Sequence, residues 1–292
     1  MCERDQIDEW SRGGGFDWAI NRRAFALGSL TALAACASGS VGAGGSAALV
    51  EERVRVQTPD GVADAFFVRP AKGRHPAILT WPDIAGLREA FEVMARRLAG
   101  QGYAVLVVNP YYRALAAPQF RDFADFSAQG GFQKVGPWRA ALTADSIMRD
   151  ASAAIAWLDS RPEVDTARGV GTHGYCMGGP FTVWTAAAVP GRVRAAASLH
   201  GGGLVKPDDA QSPHALLART KARYLIAIGQ DDDQKAPEVK TAFKDAAAAA
   251  GRPAEVEVYP ANHGWTVIDS PSYDAPAAER AWTRMSALFA TL

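Results

Sequence analysis

The stretch that decides the fold is Gly169-Val-Gly-Thr-His-Gly174-Tyr175-Cys176-Met177-Gly178-Gly179. A short apolar run feeds it, and the small-residue run 180–188 leaves it with the composition of a helix. In that setting Gly174-x-Cys176-x-Gly178 reads as a tight strand-to-helix turn that lifts one side chain clear of a sheet. The glycines have a steric reason: a side chain two residues to either side of the cysteine would meet the neighbouring strand or helix. The same turn puts the Cys176 thiol at a helix N-terminus, where the positive end of the dipole favours thiolate, and makes the Met177 N–H a natural oxyanion donor. Two plainer readings compete. A lone cysteine is commonly an inert buried hydrophobe, and residues 169–174 also satisfy the G-x-G-x-x-G dinucleotide pattern. Against the second stands Arg194, twenty residues on, where an acid is wanted.

Outward from the turn, short β-branched or apolar runs alternate with amphipathic runs of helix length. Strands are expected at 54–57, 63–69, 77–80, 104–109, 169–173, 195–199, 225–228 and 255–259, the first two pairing across Pro59-Asp60-Gly61. Helices are expected at 88–99, 143–160, 179–188, 237–250 and 277–292. This alternation predicts an α/β domain, a doubly wound and mostly parallel sheet of about eight strands entered by an antiparallel hairpin. Residues 111–142, rich in Phe, Gln, Gly and Arg, exceed an ordinary connection and are read as a lid or pocket wall.

A nucleophile needs a base, and the base an orienting acid. His263, in Asn262-His263-Gly264-Trp265, follows the strand that ends at Tyr259, where a loop at the sheet's carboxyl edge would carry a catalytic imidazole. Asp231-Asp232-Asp233 follow the strand before it, and three carboxylates directly after a buried strand are costly without a role. Nucleophile, acid and base thus come in the chain order of α/β-hydrolases. Of the other histidines, His75 and His214 read as solvated loop residues, His173 as a satisfied core residue, and His200 as a candidate for the pocket wall.

The composition agrees with a small-molecule enzyme. The 292 residues carry 31 Lys+Arg against 31 Asp+Glu, and 48% are hydrophobic, which leaves no electrostatic footprint for nucleic acid and no case for disorder. The first 50 residues read as an export leader and linker ahead of a domain at 51–292. Asn21-Arg22-Arg23 precedes an apolar stretch of about a dozen residues, and no charge recurs until Glu51. The block resembles a twin-arginine (Tat) signal, with Asn21 in place of the usual Ser or Thr. Leu33-Ala34-Ala35-Cys36 resembles a lipobox, so Cys36 would be a lipid anchor; cleavage after Val41-Gly42-Ala43 is the alternative. The first route predicts a lipid-anchored protein whose membrane contact is that anchor, the second a periplasmic one without it. Without residues 1–50, 27 basic side chains face 26 acidic ones. Cys176 is then the one thiol of the domain, and no disulfide can form within it.

Over essentially the whole chain from Val54 onward, the sequence resembles the dienelactone hydrolases of the α/β-hydrolase fold. Gly174-Tyr175-Cys176-Met177-Gly178-Gly179 matches that family's G-x-C-x-G-G turn, and Tyr259-Pro-Ala-Asn-His263-Gly264-Trp265 matches its ending. The resemblance implies an ester or lactone hydrolase with Cys176, His263 and Asp232 as a triad and no cofactor or metal. The family spacing Gly-x-x-Asp selects Asp232, while a looser alignment selects Asp231. Trp81-Pro82-Asp83-Ile84-Ala85-Gly86 resembles the segment that carries a thiol-switching acid and a second oxyanion amide, which assigns Asp83 and Ile84; a plain turn-capping Asp is the alternative. Asn109-Pro-Tyr-Tyr-Arg113 resembles the segment that supplies one of two carboxylate-gripping arginines, and Val267 stands where the other would be. With one arginine instead of two, preference for dienelactone itself should be weak, and Trp81 and Trp265 should favour less polar substrates.

Overall fold

A computed structural model describes residues 48–292, so the leader motifs at Arg22-Arg23 and Cys36 lie outside the described residues. In chain order the elements are β1 (Leu49–Thr58), β2 (Gly61–Pro70), β3 (Ala77–Trp81), α1 (Glu89–Gly100), β4 (Ala104–Val108), α2 (Phe123–Ala128), α3 (Gly131–Lys134), α4 (Gly136–Ala140) and α5 (Ala144–Asp159). There follow β5 (Val170–Tyr175), a single tight turn (Cys176–Gly178), α6 (Gly179–Ala188), β6 (Val193–Leu199), α7 (Pro213–Leu216), β7 (Arg223–Gly229), α8 (Gln230–Lys235), α9 (Glu238–Ala249), β8 (Ala254–Tyr259) and α10 (Ala275–Phe289).

The eight strands form one sheet in the order β1-β2-β4-β3-β5-β6-β7-β8. β1 and β2 are an antiparallel hairpin, β2 meets β4 antiparallel, and every later pairing is parallel. β1 is ten residues long where four are expected. Glu51, Glu52, Arg53 and Arg55 disguise it as polar sequence, but on an edge strand such side chains face water while the register to β2 supplies the hydrogen bonds. The strand order reverses between β3 and β5. That is the position at which a doubly wound sheet opens a crevice at its carboxyl edge.

Strand pleating divides the core in two. Ala104, Leu106 and Val108 of β4 join Ile147, Ile155 and Leu158 of α5 and Phe181 of α6 on one face, while Val105 and Val107 join Phe91 and Leu98 of α1 and Met285 and Phe289 of α10 on the other. His173 sits in the middle of β5. Its Nε2 meets Thr80 Oγ1 at 2.7 Å and its Nδ1 meets Tyr175 Oη at 3.0 Å, the satisfied core histidine expected. Burial pushes its pKa down to about 3. The folded state therefore keeps His173 neutral where the unfolded chain takes up a proton near its ordinary value of about 6.5. Stability should fall as pH drops from about 6.5 toward 3, more steeply in the wild type than in His173→Gln. Denaturant titrations across that pH window measure the slope.

Candidate active site

Cys176 stands directly after β5 with φ of 50°, a left-handed conformation that a non-glycine residue holds only when its surroundings impose it. The surroundings are tight. A Cβ on Gly174 would lie 2.1 Å from the Gly178 carbonyl oxygen, and one on Gly178 would lie 2.5 Å from the Trp81 oxygen at the end of β3. Both glycines of the turn are thus required by close backbone approach, the neighbouring strand included. Cys176 is buried and, among the described residues, takes part in no disulfide.

The thiol shares a cavity wall with Asp83, Ile84, Phe123, Phe132, His200, His263, Gly264 and Ser270. His263 follows β8, and its Nδ1 lies 2.8 and 3.0 Å from the two Asp232 carboxylate oxygens. The three acids after β7 begin a short helix, α8, which turns them in different directions. Asp231 Oδ1 accepts the His263 backbone N–H at 2.8 Å, and both Asp233 oxygens lie 2.7 Å from Lys240 Nζ. Of the three, Asp232 is the one whose carboxylate meets the imidazole.

His200, also at positive φ (42°), directly follows β6 at the carboxyl edge of the sheet. Its ring centroid is 4.8 Å from that of His263 and its Nε2 is 2.9 Å from Thr266 Oγ1, while its buried Nδ1 has no hydrogen-bond partner among the described residues. Burial holds its pKa well below 6.5, so the ring is neutral at physiological pH.

Ile84 is held from behind. Tyr111 Oη donates to the Ile84 carbonyl at 2.8 Å and lies 3.3 Å from Met177 Sδ, so one phenol touches both residues whose amides are the candidate oxyanion donors. Tyr111 belongs to an aromatic cluster with Phe120, Phe123 and Phe126, contributed by residues 111–142. That segment is the pocket wall its length suggested, folded into α2, α3 and α4 over the thiol.

Asp83 is engaged on both oxygens. Arg88 Nη1 donates to Oδ1 at 2.7 Å and Nη2 to Oδ2 at 2.9 Å, and the Ala85 N–H caps Oδ1 at 2.9 Å. Arg88 is fully buried and also grips Asp269 with Nε and Nη2, each at 2.7 Å. Burial pushes the Asp83 carboxyl above its usual range, with Arg88 opposing; burial disfavours the Arg88 cation, but its two carboxylates more than offset that and raise its pKa. Neither Arg88 nor Asp269 was legible beforehand as part of the site. Arg88 reads as an ordinary helix start, and only its five-residue spacing from Asp83 hints at the pair.

Three expected substrate contacts need correction. Arg113 spends its guanidinium on Asp150, with two bonds of 2.8 Å, and on Asp60 at 2.6 Å, tying the β4 loop to α5 and the hairpin turn instead of lining the cavity. Trp81 shares the β3 face of Ala77 and Leu79, so its indole enters the core and donates to Thr185 Oγ1 at 3.0 Å. Trp265 is buried on the other core face, stacked on Tyr259. The cavity's aromatic lining comes from Phe123 and Phe132. Because burial already pushes Asp150 upward, removing its guanidinium partner should cost about 2 kcal/mol, less than a fully buried pair because Arg113 is partly exposed. Arg113→Ala should therefore lower the denaturation midpoint without altering preference between anionic and neutral substrates, which melting curves and paired kcat/KM values would reveal.

Among the described residues no group of three or more His, Cys, Asp or Glu side chains could hold a metal ion, and no helix is long and apolar enough to cross a membrane.

Eight strands in this order, with candidate nucleophile, acid and base on the loops after β5, β7 and β8, define the α/β-hydrolase class. Comparison with known proteins narrows the class. A sequence model of the dienelactone hydrolase family matches residues 63–292. The chain belongs to the dienelactone hydrolase family and is a hydrolase of that kind. A relative from Methylorubrum extorquens named "Putative carboxymethylenebutenolidase" is 31% identical over 247 residues, covering 82% of this chain and 81% of the relative. One of the same name from Escherichia coli K12 is 30% identical over 228 residues, 76% of this chain and 79% of the relative. Among solved structures, a dienelactone hydrolase-like promiscuous phosphotriesterase from metagenomic libraries superposes with a TM-score of 0.65 at 26% identity, covering 83% of this chain and 98% of that one.

Proposed function

We propose that this protein hydrolyses small esters or lactones by two-step acyl transfer through Cys176. One observation carries the reading: a cysteine on a left-handed turn shares a cavity wall with His263, whose far nitrogen is held by Asp232. With Asp232 accepting from Nδ1–H, Nε2 is the basic nitrogen. It takes the Cys176 proton, and the thiolate adds to the carbonyl carbon. The Met177 and Ile84 amides stabilise the oxyanion, each worth roughly 3 to 4 kcal/mol of barrier. Collapse breaks the carbonyl–alkoxy bond, the leaving oxygen takes the imidazolium proton, and a thioester is left on Cys176. Water then gives a proton to His263 and attacks the thioester. The carbon–sulfur bond breaks, the Cys176 thiolate takes back the imidazolium proton and the acid departs. No step calls for a cofactor, and no nucleic-acid partner is implied.

Asp83 we read as a turn cap and half of a buried ion pair in place of a thiol switch. His200, neutral and with Nδ1 unpaired, is the wall residue suited to a substrate hydrogen bond. From the leader pattern we infer that the enzyme works outside the cytoplasm, in the periplasm or on a lipid anchor at Cys36. A screen of small esters and lactones against wild type and Cys176→Ala tests the activity. Added alcohols or amines as acceptors separate hydrolysis from acyl transfer, and no turnover of any ester would point to a binding protein that retains the fold.

A further inference from the structure

We propose that Asp269 is a specificity-determining residue: as a second carboxylate on the Arg88 guanidinium behind Asp83, it leaves the ionised cluster with one net negative charge and directs the site to uncharged acyl groups. The inference rests on the proposed ester or lactone hydrolysis and names its substrate class.

The donor inventory of Arg88 is closed. A guanidinium has five N–H bonds. Nε and one Nη2 bond go to Asp269, the other Nη2 bond and one Nη1 bond go to Asp83, and the last goes to the Gly86 carbonyl at 3.1 Å. The rings of Phe91 and Phe123 lie 4.9 and 5.8 Å from its centre. Asp269 also accepts the Phe123 backbone N–H at 3.0 Å on Oδ2, so it joins Arg88 to the first residue of α2. The cluster reaches the cavity through Asp83, which lines it, and Phe123 and Ser270, bonded to and adjacent to Asp269, line it too.

With both carboxylates ionised, the cluster carries one negative charge. If Asp83 held a proton it would be neutral. In neither state is it positive, and charges buried in a low dielectric act across a cavity far more strongly than in water. The other groups facing the thiol do not alter the sign. His200 is neutral, moving the Cys176 proton to His263 leaves the summed charge of those two unchanged, and Asp232 adds a formal negative charge behind His263. Val267 is an apolar core residue, and Arg113 is committed to Asp150 and Asp60. Among the described residues lining the cavity, a carboxylate on the acyl chain would meet no Lys or Arg.

The test compares kcat/KM for para-nitrophenyl pentanoate and the mono-para-nitrophenyl ester of glutaric acid, nearly matched acyl chains that differ by a terminal carboxylate. Wild type should favour the neutral ester. Asp269→Asn should raise the anionic-to-neutral ratio about tenfold or more, and Glu238→Gln, the same charge change at an exposed site, should leave it unchanged. Asn keeps an oxygen for the Phe123 N–H, and any loosening of α2 slows both esters, so the ratio isolates charge. If Asp269→Asn does not fold, a cationic ester of similar length on wild type replaces it and should outpace the anionic one. An unchanged ratio in folded Asp269→Asn, or a wild-type preference for the anionic ester, overturns the inference while leaving ester hydrolysis intact. Failure of every ester to turn over in a Cys176-dependent way would instead remove the activity on which it rests.

Discussion

Cys176→Ala should fold like the wild type and hydrolyse para-nitrophenyl esters at least about four orders of magnitude more slowly, because residues that act as a unit in acyl transfer fail together when the nucleophile is lost. Alanine suits the comparison: it keeps the Cβ that the left-handed turn already tolerates and removes only the sulfur. Wild-type protein mixed with excess ester should show a burst of nitrophenol and an intact mass raised by one acyl group, and the variant should show neither. A variant that retains activity within tenfold of wild type would mean that Cys176 is not the attacking group.

The second large effect belongs to Asp232. Asp232→Asn should lower kcat by about three to four orders of magnitude with little change in folding stability, because an amide facing His263 Nδ1 favours the tautomer whose Nε2 already carries a proton. Asp231→Asn is the sharp comparison. Asp231 accepts the His263 backbone N–H and lies 3.9 Å from Lys235 Nζ, touching no atom of the imidazole ring, so its loss should cost about 1 kcal/mol of stability and less than tenfold in rate. Steady-state kinetics with melting curves on the two variants separate the roles. A larger kinetic loss in Asp231→Asn would put the acid one residue earlier than the geometry does.

Much of this was open to a reader of the chain because it depends on local chemistry. The turn at residues 174–179 is legible because few backbones demand glycine two residues to either side of a cysteine, and the alternation of strand and helix periods carries the rest of the parallel sheet. His263 is legible because it follows a strand in the right chain order. The acid was left between Asp231 and Asp232, since adjacent carboxylates look alike until α8 winds them apart by about 100° per residue.

What the sequence by itself determined is therefore the eight strands, the five longer helices and their order, together with the candidate nucleophile and base and the pair of acids after β7 between which it left the choice open. Tertiary structure alone decided which way side chains of equal promise point. Trp81 and Trp265 flank the motifs, yet the pleat of β3 and the packing around Tyr259 send them into opposite core faces. Arg113 follows a family-like segment, yet Asp150, 37 residues away, claims it. Arg88 and Asp269 stand 181 residues apart and meet without solvent, a pairing no local pattern encodes. The physical reason is one of range: backbone conformation answers to neighbours within a few residues, whereas the partner of a buried charge is fixed by whichever group the completed fold carries within hydrogen-bond distance of it.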